Sequence, residues 1–204
     1  MTTADALPPA RRNIPAFDGL PIPADTANLR EGPDLHPQCL SLLPLVGVWR
    51  GTGQVVYPTI EGPRFFGQQV TFAHDGRPFL SYTAQSWLLD GEGGPVLRAA
   101  ARETGFWRPR EDDTIEVLIA HATGIVEIFY GTSKSATSWE LIADAVVRTE
   151  TAKEVNTSQR LYGLVDGSGS DADNTRDLAY VDERAMVGQP LQPHLSARLQ
   201  RIAG

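Results

Sequence analysis

The sequence predicts an all-β protein: about ten antiparallel strands wound up and down into a closed barrel, preceded by a largely irregular N-terminal arm. Three observations predict it. Runs rich in β-branched and aromatic residues recur at regular spacing. Short polar or glycine-bearing turns separate them. Only one short stretch, Pro37–Pro44, has helical character. Residues 1–37 stand apart, because Pro8, Pro9, Pro15, Pro21, Pro23, Pro33 and Pro37 crowd into them without any helical or strand period. An extended, flexible arm is expected there, followed by a barrel domain over residues 38–204.

The strands follow in order. Val48–Tyr57 and Phe65–His74 come first, and the hairpin signal Asp75-Gly76 then leads into Phe79–Leu88. Asp90-Gly91-Glu92-Gly93-Gly94 turns the chain into Val96–Trp107, and the polar turn Arg110-Glu111-Asp112-Asp113 precedes Ile115–Ala120. Gly124–Tyr130, Ser138–Arg148, Lys153–Val165, Asp177–Met186 and Leu195–Ile202 complete the set. A long open sheet would leave edges able to pair with other chains; closure removes them. A barrel of this strand number is wide enough to hold a ligand.

Composition narrows the function classes. A net charge of −7 argues against a nucleic-acid groove, which needs a basic stripe. Cys39 is the single cysteine, so neither an internal disulfide nor a cysteine metal site can form. Met1-Thr2-Thr3-Ala4-Asp5 does not open a secretory signal, and no apolar run has the length of a membrane span. A cytoplasmic protein without a membrane partner is expected. Gly51-Thr52-Gly53 lacks the third glycine and following helix of a dinucleotide loop. Asp171-Ala172-Asp173-Asn174 is expected to be an acidic hairpin loop, because Arg176 stands where a calcium loop needs glycine. There is no Gly-x-Ser-x-Gly elbow to present a serine nucleophile.

Gly47-Val48-Trp49-Arg50-Gly51-Thr52-Gly53 fits a Gly-x-Trp-x-Gly-x-Gly signature. A tryptophan there can plug one end of a barrel, while the glycines allow close strand approach. Tyr57-Pro58-Thr59-Ile60, Phe72–Tyr82, Glu103–Phe106, Ala120–Glu127, Thr151–Val155 and Gln189–Leu195 follow in order. In these motifs, from about Leu42 to Ile202, the chain resembles the nitrobindins, relatives of the lipocalin and fatty-acid-binding barrels.

The resemblance implies one haem b per subunit, held at a barrel mouth with His194 as axial ligand. It further implies a haem contact from Thr59 and isomerisation of peroxynitrite to nitrate at ferric haem. Nitric oxide binding and a homodimer are implied as well. Lys153 is a candidate partner for a haem propionate. A single neutral imidazole leaves one axial position open to a small oxidant. Of the other histidines, His36 is expected to be solvated, His74 to make a local hydrogen bond at its turn, and His121 to be structural or exposed. Trp87, Trp107 and Trp139 are expected to pack the barrel.

One departure stands out. The stretch Pro95–Glu103 carries no histidine where many nitrobindins have Pro-x-His, which leaves the distal side drier or shielded by Arg98 and Arg102. The rival function is a haem-free carrier of a fatty acid or other apolar small molecule. A carboxylate cargo would need a buried cation, for which Arg160 and Arg198 are the candidates. Strict alternation also sets His194 on the side of Ser196 and Arg198, opposite Leu195, unless Pro193 shifts the register.

Overall fold

The computed structural model describes residues 25–168 and 176–204, so most of the arm and the acidic loop Asp171–Asn174 lie outside the described residues. All ten expected strands are present: β1 Gly47–Val55, β2 Arg64–Ala73, β3 Leu80–Leu89, β4 Val96–Pro109, β5 Thr114–His121, β6 Ile125–Ser135, β7 Ser138–Arg148, β8 Val155–Asp166, β9 Arg176–Met186 and β10 Gln192–Ala203. Each strand pairs antiparallel with its chain neighbours, and β10 returns to pair with β1, closing the barrel. Burial alternates along the strands, most plainly in β5 and β6, where Ile115, Val117, Ile119, Ile125 and Phe129 point inward. No helix among the described residues is long and apolar enough to cross a membrane.

One end of the barrel is sealed. The expected helical stretch is a 3-10 helix, Pro37–Leu45, whose Cys39, Leu42 and Leu45 are fully buried. Pro37 suits its first turn, and His36 caps it, its Nδ1 accepting from the Gln38 amide at 3.2 Å. His36 is therefore half-buried and engaged rather than solvated. The Trp49 indole donates to the Leu45 carbonyl at 2.8 Å, and the Trp139 indole donates to Ser41 at 3.2 Å. Trp49 is the expected plug. The last arm residues are seated here too: Thr26 and His74 exchange backbone hydrogen bonds of 2.8 and 2.9 Å. His74 does not make the side-chain hydrogen bond expected of it. Its ring is fully buried, and both nitrogens lack a partner among the described residues.

Above the plug the lumen is filled with rings rather than hollow. Phe72, Tyr82, Trp107, Tyr162 and Tyr180 form a chain of edge-on, tilted and stacked contacts with centroids 5.0 to 6.5 Å apart. Trp107 and Trp139 are wholly buried packing residues, as expected, while Trp87 is half-buried. A cavity remains toward the opposite end of the barrel.

The glycines of the first strand have a steric reason. A Cβ on Gly51 would collide with the Arg198 carbonyl of β10, and one on Gly53 with the Ser196 carbonyl and the Phe66 ring. Gly67, also in a strand, has nothing nearer than 3.8 Å. Gly51→Ala is expected to lose about 1–3 kcal/mol, because overpacking outweighs the smaller entropic gain. Gly67→Ala should stay within about 0.5 kcal/mol of the parent. Urea unfolding of both variants checks the contrast.

Candidate functional site

The unsealed end carries the β1–β2, β3–β4, β5–β6, β7–β8 and β9–β10 loops. Beneath them lies a cavity of about 170 Å³. Its walls are apolar where Val55, Phe66, Leu88, Ala100, Ala101 and Leu195 contribute. Its polar lining comes from Gln68, Ser86, Glu103, Tyr180, Asp182 and His194, with Arg64 at the rim.

His194 enters this cavity through a break in the β10 ladder. Pro193 stands opposite Glu183 and Leu195 opposite Asp182, so His194 is one residue too many for β9. Such a bulge bends the strand and re-aims a side chain. The alternation conflict in the sequence is thereby resolved, because both His194 and Leu195 line the cavity. The His194 carbonyl is held by the Val56 amide at 3.0 Å, across the end of β1. Burial lowers the imidazole pKa to about 4, and the nearby Arg184 guanidinium pushes the same way. The ring is therefore neutral at physiological pH, and its Nδ1 is buried without a hydrogen-bond partner among the described residues. Among the described residues, no three His, Cys, Asp or Glu side chains are placed to hold a bare metal ion. His194 is thus a single neutral nitrogen donor facing a cavity, which suits iron whose other ligands come from a porphyrin.

Thr59 and Lys153 stand on the same mouth but do not line the cavity. Thr59 is exposed in the β1–β2 loop, and Lys153 is exposed in the β7–β8 loop. Lys153 lies near enough for its charge to add to the lowering of the His194 pKa. Arg98 and Arg102 are exposed on β4 and leave the cavity wall to Ala100 and Ala101. That wall is apolar.

Below the cavity lies a charge network with no counterpart in the sequence reading. Arg160, fully buried, pairs with Glu103 at 2.9 Å and Asp182 at 3.1 Å. Arg184 grips Asp182 through two nitrogens at 2.9 and 3.0 Å. His121 bridges two carboxylates, with Nε2 2.6 Å from Glu127 and Nδ1 3.3 Å from Glu103. It is structural, as expected. Burial alone would push the Glu127 carboxyl up, but the hydrogen bond with His121 and the charges of Arg160 and Arg184 bring it down to about 2. Burial likewise opposes ionisation of Glu103, which Arg160 more than offsets, holding it well below the usual range.

A signal for this network exists at inward strand positions: Ser158 and Arg160 precede Tyr162 by twos, and Asp182 and Arg184 follow Tyr180. The network also bears on lipid carriage. Arg160 is already committed to carboxylates, and Arg198 lies on the outside of the barrel, paired with Asp177 at 2.7 Å. A fatty-acid headgroup deep in the cavity would meet Glu103 and Asp182, while Arg64, the cation in the lining, is exposed at the mouth.

Removing one member leaves buried charge unpaired. Arg160→Leu is expected to cost roughly 3–5 kcal/mol in urea unfolding. The depressed Glu127 pKa gives stability that is full above its ordinary value of 4.5 and is lost as pH falls through about 2. Glu127→Gln should flatten the fall in stability across that window, as read by unfolding at a series of pH values.

Comparison with known proteins gives the same architecture. Residues 38–201 match the family model described as the THAP4-like, heme-binding beta-barrel domain. A ferric nitrobindin-like protein of Saccharopolyspora erythraea is 52% identical over 193 residues, covering 95% of this chain and 87% of its own length. A peroxynitrite isomerase of Mycobacteroides abscessus is 50% identical, covering 98% of this chain and 96% of its own. The crystal structure of Rv2717c from M. tuberculosis superposes with a TM-score of 0.69 at 37% identity, covering 82% of this chain and 99% of that one.

Proposed function

The chain belongs to the THAP4-like, heme-binding β-barrel family, and from that premise we propose that it holds one haem b through His194 and isomerises peroxynitrite to nitrate. The carrying observation is the neutral His194 imidazole, lining the cavity with an unpaired, buried Nδ1. Relatives about half identical along nearly the whole chain bear the name peroxynitrite isomerase, which supports the reaction. When bound, ferric haem supplies the O–O cleavage and recombination that turn peroxynitrite into nitrate.

This chain's residues have narrower tasks. His194 would hold the iron through a ring nitrogen. Val55, Phe66, Leu88 and Leu195 offer an apolar seat that keeps water from the ring edge. About 170 Å³ admits only part of a macrocycle, so the remainder belongs at the mouth, between the loops that carry Thr59 and Lys153. Thr59 would contact the haem there, and Lys153 would pair with a propionate. Glu103, Glu127 and Asp182 are tied to arginines or histidine and provide no free acid, and the isomerisation requires none. The bound haem would also take up nitric oxide.

Residues 1–37 are assigned to a proline-rich arm and 38–204 to the haem-binding barrel, in a cytoplasmic protein with no nucleic-acid partner. A homodimer is supported by an outer apolar wall on β4 to β7, where Val126 stands opposite Val147 and Tyr130 opposite Ile142. Val147 and Ile142 are 65% and 54% exposed. Sedimentation of the haem-loaded chain should give the mass of two copies; a monomer at every concentration removes the dimer.

Protein supplied with haemin is expected to show a Soret band that is lost or moved in His194→Ala. An unchanged band removes the ligand assignment. Stopped-flow mixing with peroxynitrite should give decay faster than free haem, with nitrate as product. Decay no faster than free haem ends the isomerase assignment.

A further inference from the structure

A β-bulge re-aims a side chain but does not by itself fix its rotation, and His194 has no hydrogen bond at Nδ1 to do so. The neighbour that can is Tyr57, at the start of the β1–β2 loop. Its ring meets the His194 ring edge to face, with centroids 5.4 Å apart and planes at 76°. Tyr57 is itself immobilised, being only 3% exposed. Its hydroxyl donates to the Arg184 carbonyl at 3.1 Å, with the Met186 carbonyl 3.2 Å away, and accepts from the Met186 amide at 3.1 Å. The residue before it, Val56, binds the His194 carbonyl at 3.0 Å. Backbone and side chain of one short segment thus grip both ends of the same histidine.

Metal-ligating histidines ordinarily owe their orientation to a partner of the second ring nitrogen. Here the contact comes from an aromatic ring anchored on the end of β9. Ile125, Ala152, Val155 and Met186 pack with Tyr57 into a small apolar cluster at the mouth, separate from the main core. The cluster backs the tyrosine and keeps solvent from the contact.

We propose that Tyr57 is a positioning residue that sets the plane and tilt of the His194 imidazole toward the bound iron, an inference that rests on His194 being the haem ligand. Tyr57→Phe keeps the ring contact and loses the hydroxyl anchor; Tyr57→Leu loses both. The test uses the full chain loaded with haemin. The ferrous iron–histidine stretch is read by resonance Raman, and haem loss is read by transfer to excess apomyoglobin. Tyr57→Leu is expected to shift or broaden the stretch and to speed haem loss about 10- to 100-fold, with Tyr57→Phe between it and the parent. Leucine and phenylalanine variants that keep the parental stretch and haem-loss rate overturn the proposal while leaving His194 as ligand. A parent chain whose stretch survives His194→Ala overturns both, and this is seen before any tyrosine variant is compared. Should Tyr57→Leu fail to fold, Tyr57→Phe carries the test through the hydroxyl anchor alone, and parental behaviour in it overturns the proposal.

Discussion

The site depends on one surplus residue in one strand. Without the bulge at His194, the ladder between β9 and β10 would alternate strictly and send either His194 or Leu195 away from the cavity. With it, an imidazole and an isobutyl group share the same wall. Placing the imidazole there costs it hydration, and that cost has a chemical product: a ring that stays neutral and keeps a lone pair for a metal. The fold accommodates the irregularity because Val56 of the neighbouring strand end satisfies the bulged carbonyl.

The network beneath the cavity addresses a different constraint. Glu127 and Asp182 are buried and Glu103 is half-buried inside the barrel, where isolated carboxylates would be costly. Two arginines and a histidine compensate them with short, partly bidentate contacts. Such networks are poor sources of net stability, since well-packed apolar residues often serve equally well. Their geometry nonetheless links five strands, β4, β5, β6, β8 and β9, directly under the ligand space. The floor is made of strands joined by these charge contacts, while the mouth is built from loops.

Much of this was legible in the chain. Strand positions followed from alternation and turn chemistry because each strand has one buried face, and β7 begins and ends where expected. Trp49 as plug and the close approach at Gly51 and Gly53 were legible for the same reason: sterics at a crowded end admit few residue types. His194 is legible through the motif around it; its inward aim is only hinted at by Pro193, because the pairing with β9 decides whether the register shifts. Tyr57 was visible only as part of a motif, since its three hydroxyl contacts reach backbone about 130 residues away. The same holds for Arg160 and Glu103, which alternation places inward but which only closure of the barrel brings together. His36 and His74 were misjudged because a capping role and a pairing with Thr26 depend on how the arm returns to the sealed end.

Anomalous diffraction at the iron edge, from crystals of the full chain loaded with haemin, tests the ligation most directly. The expected map has one iron peak per chain at bonding distance from a ring nitrogen of His194. A peak bonded to another side chain, or a haem stacked at the mouth with the His194 ring turned away from it, would contradict the assignment.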